Sequence, residues 1–416
     1  MNRRISLVFC LVWTGLAIPS AGVPAAAPLL EQVDLFESGA DGYALYRIPG
    51  IVVTAKGTLL AWCEARRTGK SDWDTIDIML RRSTDGGRTW EPQRRIAHVP
   101  GAKEKNPVAL DKKLANPDDV TYNNPVAIAD RDGTVHFLFC LDYWRAFAMR
   151  SDDDGLTFSM PVEITPAFAA FRPEYDWKVL ATGPNHGIQL QSGRLLVPVW
   201  LSTGTGGHAH RPSVTATIFS DDHGRTWQRG QIAAPNTEEF VYPNETTAIE
   251  LADGRVMLNI RSESAAHRRL ITCSADGATG WSTPVFHPQL LEPICMASSV
   301  RLSRQPASDR NRILFANPHN LERADGKIQP GKSRDRKNLS VKLSCGEGQT
   351  WPVDKVLETG YSAYSDLAVG PDGTIYCLYE RGRRNKDQKK PTSYAFLTLA
   401  RFNLEWLTDG RDRLAP

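Results

Sequence analysis

Arg47 lies in the run Tyr46-Arg47-Ile48-Pro49, where a guanidinium among apolar neighbours is costly unless it is paired. Downstream, Glu64-Ala65-Arg66 is followed six residues later by Asp72. Two more arginines sit beside strand-like stretches, Arg261 in Leu258-Asn259-Ile260-Arg261 and Arg336 in Arg336-Lys337-Asn338-Leu339. Glu245 (in Pro243-Asn244-Glu245-Thr246-Thr247), Glu380 (in Tyr379-Glu380-Arg381) and Tyr364 (in Ala363-Tyr364-Ser365-Asp366-Leu367) complete the set. A guanidinium fork binds a carboxylate bidentately and keeps its charge. Arginines gathered in one place need an acid among them. A phenol beside a carboxylate can surrender its proton as it attacks. Taken singly, each residue has an ordinary explanation as a solvated loop charge or an aromatic packed at a strand end.

The elements that would position them are announced by a repeat. Ser-x-Asp-x-Gly-x-Thr-Trp occurs as STDGGRTW from Ser83, SDDDGLTF from Ser151 and SDDHGRTW from Ser220. Weaker copies are SADGATGW from Ser274 and SCGEGQTW from Ser344, the last with Gly346 in place of the Asp. The starts are 68, 69, 54 and 70 residues apart. The octamer has the chemistry of a hairpin turn: Asp accepts from backbone amides two residues on, Gly supplies a positive φ, and the aromatic covers a neighbouring core. Around the copies lie short alternating segments, Asp77 to Arg81, Thr134 to Cys140, Arg194 to Trp200 and Arg255 to Ile260, bounded by turn signals. Four strands repeated every ~65 residues make one blade of a propeller. The 416 residues would suggest two or three domains by length alone; the repeat replaces them with an all-β fold, a single six-bladed β-propeller. Tandem β-sandwiches would leave the shared octamer unexplained.

The order YRIP, then EAR with Asp72 beyond it, then the turn octamers resembles the exo-α-sialidase (neuraminidase) family, over essentially residues 40 to 385. The resemblance implies a six-bladed propeller that removes terminal sialic acid from glycoproteins, glycolipids and oligosaccharides. It implies that Arg47, Arg261 and Arg336 hold the substrate carboxylate and that Glu380 orients the first of them. Tyr364 is then the nucleophile, Glu245 its base and Asp72 the acid/base, with Asp74 and Asp77 as competitors for that role. Arg66 matches a further pocket arginine. A neutral phenol approaches an anomeric carbon that bears a carboxylate without the like-charge repulsion an Asp or Glu would meet; a Tyr nucleophile is a known exception to the two-carboxylate scheme. Asn123, Asn124 and Tyr122 are candidates for the rim of the site, and His186 is read as structural. A glycan-binding propeller without catalysis, or one that transfers sialic acid, would share many of these residues.

The composition excludes other classes. Fifty basic and 47 acidic residues leave a net charge of +3, too little for a broad nucleic-acid surface. The basic run from Arg381 to Lys390 lacks interleaved aromatics and reads as a solvated loop. No His/Cys cluster has metal-ligand spacing, so no metal or other cofactor is expected. Arg3 and Arg4, the apolar stretch Ile5 to Ile18 and the small residues up to Ala27 have the form of a secretory leader, too short to span a membrane. The expectation is a signal peptide at residues 1–27, a propeller at 28–416 with no membrane span, and a secreted or periplasmic location, lysosomal if the source is eukaryotic. Cys63, Cys140, Cys273, Cys295, Cys345 and Cys377 are either disulfide partners or small buried residues.

Overall fold

A computed structural model of the chain describes residues 27–323, 335–383 and 392–414. The leader sequence and most of the basic run lie outside the described residues.

After β1 (Leu30–Glu37), the first sheet is β2 (Leu45–Val53), β3 (Leu59–Arg66), β4 (Ile76–Ser83) and β5 (Arg94–Arg95). A connection carrying helix α1 (Pro107–Asp111) leads to β6 (Tyr122–Ala129), β7 (Val135–Leu141), β8 (Arg145–Ser151) and β9 (Val162–Glu163). Helix α2 (Thr165–Ala169) precedes the third sheet, β10 (Val179–Thr182), β12 (Ile188–Gln189), β13 (Leu195–Ser202), β14 (Ser213–Ser220) and β15 (Gln228–Ala234). From this stretch β11 (Asn185–His186) crosses over to run parallel to β6. The fourth sheet is β16 (Thr246–Glu250), β17 (Val256–Ile260), β18 (Arg268–Ser274) and β19 (Val285–Leu291). The remaining strands, β20 (Ser298–Ser303), β21 (Arg312–Pro318), β22 (Lys337–Ser344), β23 (Val353–Val369), β24 (Ile375–Arg381) and β25 (Phe396–Phe402), join β1 in one seven-stranded sheet before helix α3 (Leu404–Leu407).

The fold is all-β and arranged as a β-propeller, but its hydrogen bonding departs from six separate four-stranded blades. Four sheets stand alone and the fifth has seven strands. The cause is β23, a continuous 17-residue strand. Its first half pairs with β22 and its second half, from Ser362, pairs with β24. β1 pairs antiparallel with β25, so the two ends of the propeller meet in one sheet.

The predicted strands at 77–81, 134–140, 194–200 and 255–260 fall within or one residue outside β4, β7, β13 and β17. Every octamer occupies the same place, joining β4 to β5, β8 to β9, β14 to β15, β18 to β19 and β22 to β23. The detail of the turn differs from the expectation. Asp85 accepts from the amides of Arg88 (3.0 Å) and Thr89 (2.9 Å), three and four residues on. Ser83 Oγ accepts from Gly87 N (3.0 Å) and donates to Asp85. In the last copy, lacking the Asp, Ser344 Oγ still accepts from Gly348 N at 3.0 Å.

The core lies between neighbouring sheets. Trp62, Leu80, Phe137 and Phe139 pack the first sheet on the second, and Leu138, Val197, Val199 and Ile218 pack the second on the third. Each such side chain contributes about 1.5–3 kcal/mol by leaving water. Cys63, Cys140, Cys295 and Cys377 are buried, and all six described cysteines are free thiols. Among the described residues no helix is long and apolar enough to cross a membrane.

Candidate active site

The site begins with a flaw in β2. Between Arg47 and Gly50 the pairing with β3 shifts register, and Ile48 takes φ +58, a left-handed conformation that is strained for a β-branched residue. Gly50 is required there, because a Cβ would lie 2.2 Å from the Trp62 ring. Glu380, fully buried on β24, holds the bulge: it accepts from Arg47 Nε (2.9 Å), Arg47 Nη2 (3.3 Å) and Ile48 N (3.2 Å). Its other oxygen also accepts from Tyr364 N at 3.0 Å. Burial works against the Arg47 charge, but Glu380, together with Tyr394, Tyr364 and Asp72, more than offsets it and holds its pKa well above the ordinary value.

Arg47, Arg66, Asp72, Glu245, Arg261, Arg336 and Tyr364 line one cavity of about 170 Å³. Glu380 stands behind Arg47. All eight residues singled out in the sequence are therefore brought together.

Tyr364 lies within the register shift of β23, and its hydroxyl lies 2.6 and 2.7 Å from the two Glu245 oxygens. Arg261 Nη1 donates to the same hydroxyl at 2.7 Å and to Glu245 Oε2. Backbone bonds between Asn244 N and Arg261 O (3.1 Å) and between Arg261 N and Glu245 O (3.0 Å) hold this acid and this arginine opposite each other. Arg261 Nε is buried and makes no hydrogen bond. Arg336 donates to Ile294 O (2.6 Å) and Tyr394 Oη (3.2 Å), with its guanidinium 5.2 Å from the Tyr364 ring centre. Burial pushes the Tyr364 phenol well above its ordinary pKa; Arg261 works against that and Glu245 adds to it.

Asp72 sits in the loop between β3 and β4. Its side chain is 42% exposed at the pocket and accepts from Arg66 Nη1 at 2.6 Å. Arg66 is itself gripped by buried Glu64, whose other oxygen accepts from Asn124 N at 2.9 Å. Desolvation disfavours the Asp72 charge, yet Arg66, with smaller help from His210 and Arg47, overcomes it and holds the carboxyl far below the usual range.

The two competitors face elsewhere. Asp77 accepts from Tyr43 and Arg67, and Asp74 from Thr68 and the Thr75 amide. His186 pairs with buried Asp366 at 2.7 Å, outside this cavity. Of the rim candidates, Asn124 lines the pocket, whereas Tyr122 belongs to the core and Asn123 is buried. Tyr143, Trp200, His208, His210, Arg211, Asn244 and Glu263 line it without having been anticipated. Asn244 lies in the segment that carries Glu245 and Trp200 ends the predicted strand 194–200; the others are single residues on loops and strand ends that only the closed ring brings together. His210 packs against Trp200 and Tyr143, with ring centres 5.1 and 4.9 Å away, and burial pushes its pKa down to about 3. Among the described residues, Asp130, Asp132 and His223 form the one group spaced to hold a cation, and it lies away from this cavity.

The fold and site together are a β-propeller with an arginine-rich pocket, an ion-paired Asp and a Tyr–Glu pair, and the relatives specify the family. The pattern described as "BNR repeat-like domain" matches residues 103–377. The sialidase of Micromonospora viridifaciens is 30% identical, covering 94% of this chain and 56% of that protein. Sialidase-2 of Rattus norvegicus is 31% identical, covering 85% and 93%. The sialidase of Bacteroides fragilis is 28% identical, covering 84% and 62%, so the chain spans about three-fifths of the length of these two bacterial relatives. Among solved structures, Hadza microbial sialidase Hz136 superposes with TM-score 0.69 at 26% identity, covering 90% of this chain and 69% of that one. The intramolecular trans-sialidase from Ruminococcus gnavus shares the fold, with TM-score 0.69 at 19% identity over 90% and 98% of the two chains. The chain belongs to the sialidase family with BNR repeats.

Proposed function

We propose that the protein is a retaining exo-α-sialidase acting on sialylated glycoproteins, glycolipids and oligosaccharides. The observation that carries this reading is the Tyr364 hydroxyl held between both Glu245 oxygens and Arg261, facing an arginine-lined cavity. Arg47, Arg261 and Arg336 bind the sugar carboxylate. Tyr364 Oη forms a bond to the anomeric carbon as the glycosidic C–O bond breaks; its proton passes to Glu245, and Asp72 protonates the departing oxygen. Water then attacks the same carbon, giving its proton to Asp72, while the C–O bond to Tyr364 breaks and Glu245 returns the proton. Two inversions leave net retention. A glycan-binding propeller needs the arginines but not this acid/base set, which favours the enzyme. The test is hydrolysis of an aryl sialoside by purified protein, with NMR of the first-formed anomer. No release of sialic acid, or first release of the β-anomer, overturns the reading.

The division of β23, whose halves pair with different partners, supports reading the ring as six blades. The basic and apolar start of the chain supports export with removal of residues 1–27, to the periplasm or beyond the cell. The amino-terminal sequence of secreted protein tests that boundary.

A further inference from the structure

We propose that Lys105, with its neighbour Asn106, positions the acid Asp72 against the pocket wall, so that Lys105 serves leaving-group protonation without touching substrate. The inference rests on the sialidase reading above.

The Lys105 side chain is 1% exposed, and its ammonium donates to three oxygens: Trp73 O (2.7 Å), Thr121 Oγ1 (2.6 Å) and Asp142 Oδ1 (2.6 Å). An ammonium has three protons, and all are used. Trp73 directly follows Asp72, so this bond fixes the carbonyl one residue past the acid. Thr121 Oγ1 reinforces it, lying 2.9 Å from Trp73 O and 2.6 Å from Asp74 O. Asp72 itself has Arg66 as its ion-pair partner and is otherwise open to the pocket. Its loop is therefore held through the main chain, from behind.

The same two residues hold the adjoining wall. Asn106 Nδ2 donates to Tyr143 O (3.3 Å) and Lys178 O (2.9 Å). The Tyr143 ring lines the cavity and meets the Trp73 ring with centres 4.5 Å apart. Asp142 and Tyr143 both have positive φ, +54 and +48, a conformation that persists only where surrounding contacts over-determine it. Asp142 is tied in by the Thr121 amide at 3.1 Å, while its second carboxylate oxygen is buried without a partner. A buried ion pair with an orphan oxygen is a poor device for stability, since apolar residues of the same volume commonly do as well. What the ammonium supplies is direction, three bonds that fix the acid loop and the Tyr143 turn relative to each other.

The test is the double variant Lys105→Met with Asp142→Asn. It removes both charges together, keeps the stem volume, and leaves at position 142 a residue that tolerates positive φ and still accepts from Thr121. The measurement is kcat/KM, which ends at aglycone departure, for 4-nitrophenyl sialoside and for sialyl-lactose at one pH. Nitrophenolate leaves with little protonation, whereas lactose needs the acid. The expected result is a fall of at most about 3-fold on the aryl substrate and of about 100-fold on sialyl-lactose. Lys105→Arg, which keeps a charge for Asp142 but carries a planar fork, should show a smaller split in the same direction and decides the matter if the double variant does not fold. A parallel loss on both substrates, or no loss on sialyl-lactose, overturns the positioning role. Failure of the unaltered protein on both substrates overturns the sialidase reading instead.

Discussion

The Tyr364 hydroxyl lies 2.6 and 2.7 Å from the two carboxylate oxygens of Glu245, so one acid brackets one phenol between two different sheets. Glu245 precedes β16 and Tyr364 lies within β23, 119 positions apart in the chain. Burial keeps the phenol protonated in the free site, against the pull of Arg261. In the proposed mechanism the proton therefore leaves during bond formation, and its acceptor is already within hydrogen-bond distance.

Two substitutions test this pair. Glu245→Gln should lower kcat roughly 10²- to 10⁴-fold by removing the base, and Tyr364→Phe at least as much. Intact mass spectrometry after exposure to a 3-fluoro sialosyl fluoride should show one added sugar on the unaltered protein and none on Tyr364→Phe. An adduct on the Phe variant would place the nucleophile elsewhere.

The pH dependence follows from Asp72. Desolvation would raise its pKa, but Arg66 overcomes that and holds it down, so Asp72 is ionised in the free site at neutral pH. The form that can protonate a leaving group becomes scarcer as pH rises, and kcat/KM for sialyl-lactose should fall steadily from acid toward neutral pH. Arg66→Gln removes the cation, raises the Asp72 pKa and moves that decline to higher pH. A decline that stays in place would separate it from Asp72. For the fold the sign is opposite: the depressed pKa adds stability above about pH 4, and this is lost as pH falls through the folded value.

Much of this was legible because motifs mark local geometry. The octamers name five turns between successive strands, and YRIP marks the bulge that turns Arg47 inward. The rest depended on closure. Tyr143, Trp200 and His210 belong to no motif; they meet because loops of neighbouring sheets converge. The continuity of β23 was also hidden: Gly360 lies inside the strand at φ +96, and Ser362 carries the ladder into the next pairing.

The octamers should govern stability and leave chemistry alone. Ser83 is buried, and its hydroxyl accepts from Gly87 N while donating to Asp85. Ser83→Ala leaves that amide buried without an acceptor, at a cost of about 1–3 kcal/mol. Chemical denaturation should report that loss, with kcat and KM on an aryl sialoside unchanged. Unchanged stability would mean the turn is held by Asp85 alone.

Glu380 joins the two halves of the site, since one carboxylate serves the Arg47 fork, the Ile48 amide and the Tyr364 amide. Glu380→Gln keeps the shape but turns one acceptor into a donor, so an N–H must face either Arg47 or a backbone amide. If it faces Arg47, a buried guanidinium loses its counter-charge, a change that typically costs about 3–5 kcal/mol. If it faces the amides, the strained turn at Ile48 loses its anchor and Arg47 swings from the cavity. Either way the carboxylate-binding end suffers. KM for sialyl-lactose should rise and product sialic acid should inhibit more weakly, together with a lower melting temperature. A variant that melts lower but keeps its KM and product inhibition would show that Glu380 supports the ring alone and that Arg47 finds its place without it.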